Sequence, residues 1–206
     1  MGRVMTKKFL GILGSVLLAV AATAAQASPV TTASEPLSVN GHVTVVFIGS
    51  DAGDTSYLSL LGGPSNIFCN HSTSTCTAAV AGDVVDLGTL FGNLDFSLSD
   101  ISVPHVYTTS SPDTDGYYYA KVVSNYADLG VFSLPTAASD VITSLSTPTS
   151  VVWYVGFEDR VGGDYDYNDF VFAVIDPPVG AVPEPATLAL VGAGLLGFAG
   201  KRRRRA

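Results

Sequence analysis

Through the middle of the chain, apolar and polar positions either alternate with a period of two or run apolar on both faces. Residues 43–48 (VTVVFI) form a β-branched and aromatic run after an Asn40-Gly41 turn signal. Residues 94–99 (LDFSLS) alternate strictly, as a strand with one wet face does. Residues 117–123 follow an Asp113-Thr114-Asp115-Gly116 turn signal and read as another strand. Residues 151–157 and 170–175 are apolar on both faces, which suits central strands. Clusters of Gly, Pro, Ser, Thr and Asp separate these runs, and only residues 57–61 and 137–145 hint at helix. Short strands at this spacing predict one all-β domain, a β-sandwich or jelly roll. No internal repeat is evident.

The two ends break the pattern. Arg3, Lys7 and Lys8 precede an apolar stretch over 9–22, followed by Ala25-Gln26-Ala27. That order predicts a signal peptide over 1–27, cut by signal peptidase between Ala27 and Ser28. At the other end Pro183-Glu184-Pro185 precedes an uncharged apolar run over 186–200 and the cluster Lys201, Arg202, Arg203, Arg204 and Arg205. The prolines lack backbone donors and hold their neighbours extended, so the triplet reads as an accessible linker. As a helix the apolar run would reach ~22 Å, short of a hydrocarbon core of ~30 Å. The basic cluster keeps its end cytoplasmic and stops transfer. Residues 28–182 are then predicted to lie outside the cytoplasm.

In order, spacing and position, the triplet, apolar run and basic cluster over 183–206 resemble the PEP-CTERM sorting signal of exopolysaccharide-producing Gram-negative bacteria. The resemblance implies that the exported protein is held in the inner membrane until an exosortase processes it near the triplet. The outer surface or extracellular matrix would be its destination. Such tails occur on very diverse proteins, so this one speaks of address and not of activity. An ordinary C-terminal membrane anchor is the plainer alternative.

Without the two ends the charge changes character. Residues 28–182 keep seventeen carboxylates against Lys121 and Arg160, a formal charge near −15. Nucleic acid is a poor partner for such a surface, whereas divalent cations are good ones. Solubility outside the cell explains the acidity equally well. Cys69 and Cys76, the only cysteines, lie in this exported part and are expected to form a disulfide around a Ser/Thr-rich loop. His71 alone offers too little for a metal site there.

The richest stretch for chemistry is 156–172, GFEDRVGGDYDYNDFVF. Twelve residues join the two apolar strands and carry five carboxylates, with Gly162-Gly163 placed for a sharp turn. Oxygens at Asp164, Asp166 and Asn168 follow the 1, 3, 5 rhythm of a calcium loop. An EF-hand fails beyond that, because Asp169 stands where glycine is required and Ile175 where glutamate is required. The stretch also resembles a β-rich domain family of unknown function from secreted bacterial proteins. The matching pieces are Gly156-Phe157-Glu158-Asp159, Gly162-Gly163 and the block 164–169, with weaker likeness at 43–53 and at Asp86-Leu87-Gly88. The resemblance implies calcium held by Glu158, Asp159, Asp164, Asp166, Asn168 and Asp169. Asp51 and Asp54 are candidates to complete the site from another loop. A plain hairpin turn, with Asx side chains bonding their own backbone, is the alternative.

Catalysis is not expected. His42, His71 and His105 are isolated, no nucleophile motif is present, and the loop offers no apolar wall to raise a carboxyl pKa. The reading is therefore an exported, non-enzymatic surface or biofilm-matrix protein with a calcium-binding hairpin. Two alternatives remain. The first is a carbohydrate- or ice-binding module, for which Tyr117, Tyr118, Tyr119, Tyr165 and Tyr167 would form an exposed aromatic face for exopolysaccharide. The second is a polysaccharide hydrolase using paired carboxylates.

Overall fold

The computed structural model describes residues 28–177. Ala27 of the cleavage site, Pro183, Glu184 and Pro185, the apolar run and the basic cluster lie outside the described residues. Among the described residues no helix is long and apolar enough to cross a membrane.

Among the described residues, nine strands and one α-helix follow in order as β1 (Leu37–Gly49), β2 (Ser56–Leu60), β3 (Phe68–Cys69), β4 (Val84–Leu94), β5 (Phe96–Asp100), β6 (His105–Thr108), β7 (Ala120–Val123), α1 (Thr136–Leu145), β8 (Val151–Phe157) and β9 (Phe170–Asp176). They form two antiparallel sheets, one of order β4-β1-β9-β8-β7 and one of order β3-β2-β5-β6. The sheets pack face to face around one core. Leu58, Phe68, Phe96 and Leu98 of the smaller sheet meet Val45, Phe47, Phe170 and Phe172 of the larger. Phe96 sits edge-on to Phe172 at 5.1 Å between ring centroids, and Phe47 is tilted against Phe68 at 5.6 Å. Each such ring removed from water contributes about 1.5–3 kcal/mol.

β1 shows how the layers are read from one strand. Its first half alternates, with Ser38, Asn40 and His42 exposed, while 43–48 is buried on both faces. The change comes where α1 and the preceding loop cover the outer face. Ala138 and Ile142, one turn apart on α1, pack with Val46, Ile48, Val171, Ala173 and Ile175. β9 lies between β1 and β8 and is buried along its whole length. Both strands with two apolar faces are thus interior members of the sheet, as their pattern predicts.

The structure corrects four expectations. Residues 57–60 belong to β2 and Leu61 to the turn after it, because Tyr57 and Leu58 pair across to both β3 and β5. Asn40-Gly41 is no turn but lies within β1, where a Cβ at Gly41 would strike the Asp176 carboxylate and the Pro177 carbonyl. The strand at 117–123 begins only at Ala120, and Tyr118 makes a lone bridge to Val30. The alternating run at 94–99 is split: Leu94 ends β4, and Asp95 makes the corner before β5. The helix at 137–145 is present as α1. Cys69 and Cys76 are joined in a disulfide.

Candidate metal centre

The site is built by the register of two interior strands. Phe157 of β8 pairs with Phe170 of β9, so the hairpin of 158–169 starts and finishes at one point. Its ends are therefore forced together. The Glu158 N–H donates to the Tyr119 carbonyl at 2.9 Å, extending the β7–β8 ladder by a residue. The Asp159 N–H donates to Asp169 Oδ2 at 2.9 Å. Glu158 is 2% exposed and Asp159 5%, so these two acids are core residues by burial.

Above them the hairpin coils back. Tyr165 and Tyr167 stand at φ 57° and 58°, a left-handed conformation rare for bulky side chains. Both are tied down by their rings. Tyr167 is buried, donates its hydroxyl to the Tyr118 carbonyl at 3.0 Å and accepts the Val30 N–H at 3.0 Å. Tyr165 packs against Tyr117 and Tyr119. The result brings one carboxylate oxygen each from Glu158, Asp164 and Asp166 within 4.8 Å of one another. Asn168 stands behind this group, its side-chain amide donating to Asp166 Oδ2 at 2.6 Å. Gly163 is required by the packing, since a Cβ there would run into the Glu158 carboxylate.

The tyrosines therefore anchor the loop. Tyr119 and Tyr167 are buried, and Tyr117, Tyr118 and Tyr165 are half-buried. They do not make the exposed aromatic face that an exopolysaccharide-binding reading required.

Electrostatics set the site apart from a simple turn. Burial, then the charges of Asp169 and Asp164, push the Glu158 carboxyl up to about 8. Burial and the Asp169 charge push Asp159 up to about 7. Burial also raises Asp169 and Asp166. The expectation that nothing in this loop would raise a carboxyl pKa is thus overturned, because Glu158 and Asp159 are buried in the fold. Glu158 Oε2 and Asp159 Oδ2 are buried and accept no hydrogen bond. Arg160 gives neither oxygen a hydrogen bond, being exposed and paired with Asp54.

Asp54 and Asp51 come from the loop between β1 and β2, which docks against the hairpin. The Asp51 N–H donates to the Asn168 carbonyl at 3.1 Å, and Ser50 Oγ donates to the Asp169 carbonyl. Asp54 lines an open cavity of about 300 Å³ together with Glu158, Asp159, Asp164 and Asp169. Asn70, next to the disulfide, holds that loop by donating its amide to the Asp54 carbonyl at 2.9 Å. The Cys69–Cys76 disulfide, closing so short a loop, contributes at most roughly 2.5 kcal/mol. Asp54 was weighed from sequence only as a candidate, and Asp100, buried nearby on β5, was missed. A lone aspartate at the end of an alternating strand gives no signal of its own.

The donors offered here are all hard oxygens, and the one cation lining the cavity, Arg160, is exposed and paired with Asp54. Such a donor set fits Ca²⁺ or Mg²⁺ and is wrong for soft metals. Glu158, Asp164 and Asp166 would hold the ion, with Asp169 and Asp159 at its border.

Comparison with known proteins bears on the other end of the chain. Residues 181–204 match the PEP-CTERM protein-sorting motif. No curated protein matches the chain. The motif supports export, exosortase-dependent sorting and membrane anchoring, and it does so independently of the hairpin. The chain carries the address of a PEP-CTERM protein.

Proposed function

We propose that this is a non-enzymatic protein of the cell surface or extracellular matrix of an exopolysaccharide-producing Gram-negative bacterium, whose acidic hairpin binds calcium. One observation carries the reading: a Glu158 carboxylate that is 2% exposed, has an unpartnered oxygen and converges with Asp164 and Asp166. An unpaired buried charge is strongly destabilising, and a divalent cation removes the cost by giving every oxygen a partner. Calcium would lock β8 to β9 at one end of the larger sheet and fix the docked β1–β2 loop. In a matrix its role is mechanical. The domain becomes rigid where calcium is plentiful.

Extracellular calcium modules have Kd ~10⁻⁴–10⁻³ M. At tenfold excess over Kd the stabilisation is ~1.4 kcal/mol. Thermal unfolding in EDTA and across a calcium titration, with magnesium as control, tests the reading. A calcium-selective rise in Tm, abolished by Asp164→Asn with Asp166→Asn, supports it. A flat titration would reduce the hairpin to a turn.

A second reading is favoured by the raised pKa of Glu158, since a carboxyl neutral near pH 7 is what a glycosidase needs as its acid. Release of reducing ends from polysaccharide, lost in Glu158→Gln, would establish that reading in place of the first.

A further inference from the structure

A short series of hydrogen bonds joins the Cys69–Cys76 disulfide to the acidic hairpin, and Asn70 stands at its centre. Cys69 closes β3, and Asn70 follows it, 9% exposed. Its side-chain amide is fully engaged. Oδ1 accepts the Ser56 N–H at 2.8 Å, while Nδ2 donates to the Asp54 carbonyl at 2.9 Å and to Ser50 Oγ at 3.2 Å. An amide has two hydrogens to give, and both go to the loop between β1 and β2.

That loop in turn grips the last two residues of the hairpin. Ser50 Oγ donates to the Asp169 carbonyl, and the Asp51 N–H donates to the Asn168 carbonyl at 3.1 Å. Asp54 and Asp169 line the same cavity as Glu158 and Asp164. From Asn70 to the hairpin the route is two hydrogen bonds long, Asn70 to Ser50 and Ser50 to Asp169. Between the cysteines the backbone is irregular, with the Thr73 N–H bonded to the Cys76 carbonyl at 2.8 Å. The covalent bond is therefore the firmest closure of the segment that carries Asn70.

We propose that Asn70 is a positioning residue that ties the acidic hairpin to the Cys69–Cys76 disulfide, so that the oxidised chain holds calcium more tightly than the reduced one. This rests on the calcium reading of the hairpin and adds what regulates that site. Reduction brings in two electrons and two protons, breaks the Sγ–Sγ bond and leaves two thiols. The segment around Asn70 then gains freedom, and calcium binding has to order it again, which lowers affinity. The coupling is reciprocal: calcium protects the disulfide by the same factor by which the disulfide favours calcium. Disulfides persist outside the cytoplasm, so the site would reach full strength only after export.

Calorimetric titration of the full chain with calcium chloride, oxidised or kept in dithiothreitol, reads the coupling. Reduction is expected to raise Kd about tenfold, the lower end for groups that orient metal ligands. Asn70→Ala with its disulfide intact is expected to do the same. Tyr57→Phe removes the 2.7 Å bond from Tyr57 to Thr73 in the same loop without touching Asn70, and is expected to leave Kd unchanged. An equal loss there would overturn Asn70 as the link. The midpoint potential of the cysteine pair, from thiol alkylation in dithiothreitol buffers, is a readout that a merely structural role does not move. Saturating calcium is expected to lower it by about 30 mV in the wild type, that tenfold factor for two electrons, and to leave it unmoved in Asn70→Ala. Equal Kd in oxidised and reduced wild type, with a potential indifferent to calcium, overturns the coupling and leaves the hairpin site standing. A lower Tm in Asn70→Ala with unchanged Kd overturns it too. No bound calcium in the oxidised wild type removes the hairpin reading and this inference with it. Should Asn70→Ala fail to fold, Ser50→Ala breaks the next link and is expected to show the same loss. Unchanged Kd there, with a potential still shifted by calcium, overturns the route.

Discussion

Asp95 and Glu158 both stand at bends between strands, and their surroundings are opposite. Asp95, at the corner from β4 to β5, accepts Thr109 Oγ1 at 2.8 Å, the Ser110 N–H at 3.1 Å and the Ser110 hydroxyl. Every neighbour is a donor. Glu158, at the corner leaving β8, faces Asp164, Asp166 and Asp169, and one of its oxygens accepts nothing. An acid ringed by donors is complete when the chain has folded. One ringed by acceptors stays incomplete until a proton or a cation arrives. Asp95 is half-buried and Glu158 buried, but the sign of the surrounding groups decides which is complete.

The largest expected effect that separates these corners is on pH. The Glu158 carboxyl has an ordinary value of 4.5 and is pushed up to about 8 in the fold. Between those values the calcium-free fold keeps a proton that the unfolded chain has released. This contribution is therefore full below about 4.5 and is lost as pH rises through 8, with Asp159, pushed up to about 7, acting in the same direction. Urea unfolding in EDTA should give a lower midpoint at pH 8 than at pH 5. Added calcium should restore most of the loss at pH 8, since the ion takes the proton's place.

Next in size is Asp95→Ala, which strands three donors and should cost about 1–3 kcal/mol in denaturant unfolding, with or without calcium. Glu158→Gln should do the reverse. In EDTA at pH 8 it should match or exceed the wild type in Tm, and the calcium increment of ~1.4 kcal/mol should vanish. Equal losses from both substitutions in EDTA would erase the distinction. The smallest effect belongs to Arg160→Ala. Its ion pair with Asp54 is exposed on the arginine side, so the midpoint of denaturant unfolding should barely move, while its removal should tighten calcium binding slightly at low salt.

What the sequence discloses follows the range of each interaction. The hairpin limits at Phe157 and Phe170 were legible because unbroken apolar runs flank the polar stretch. The disulfide and α1 were legible for equally local reasons. The first half of β1 was hidden, because Asn40-Gly41 carries a turn signal and the reason for the glycine, Asp176 with Pro177, is 135 residues away. β2 was misread because Tyr57–Leu60 has no strict alternation once loop 70–78 covers its outer face. The weakened acidity of Glu158 was hidden too, since its burial exists only once the hairpin has folded back with Gly163 against its carboxylate. Tyr165 and Tyr167 looked like a surface for a ligand. Their left-handed backbone and hydrogen bonds show them as the pins of the turn.

β9 has a direction that matters once the tail is considered. It enters the sheet at the hairpin and leaves it at Asp176, five residues before the sorting motif begins at residue 181. Seven strand residues span about 20 Å. Along the chain, β9 therefore puts its own length between the acidic hairpin that precedes it and the sorting motif that follows it.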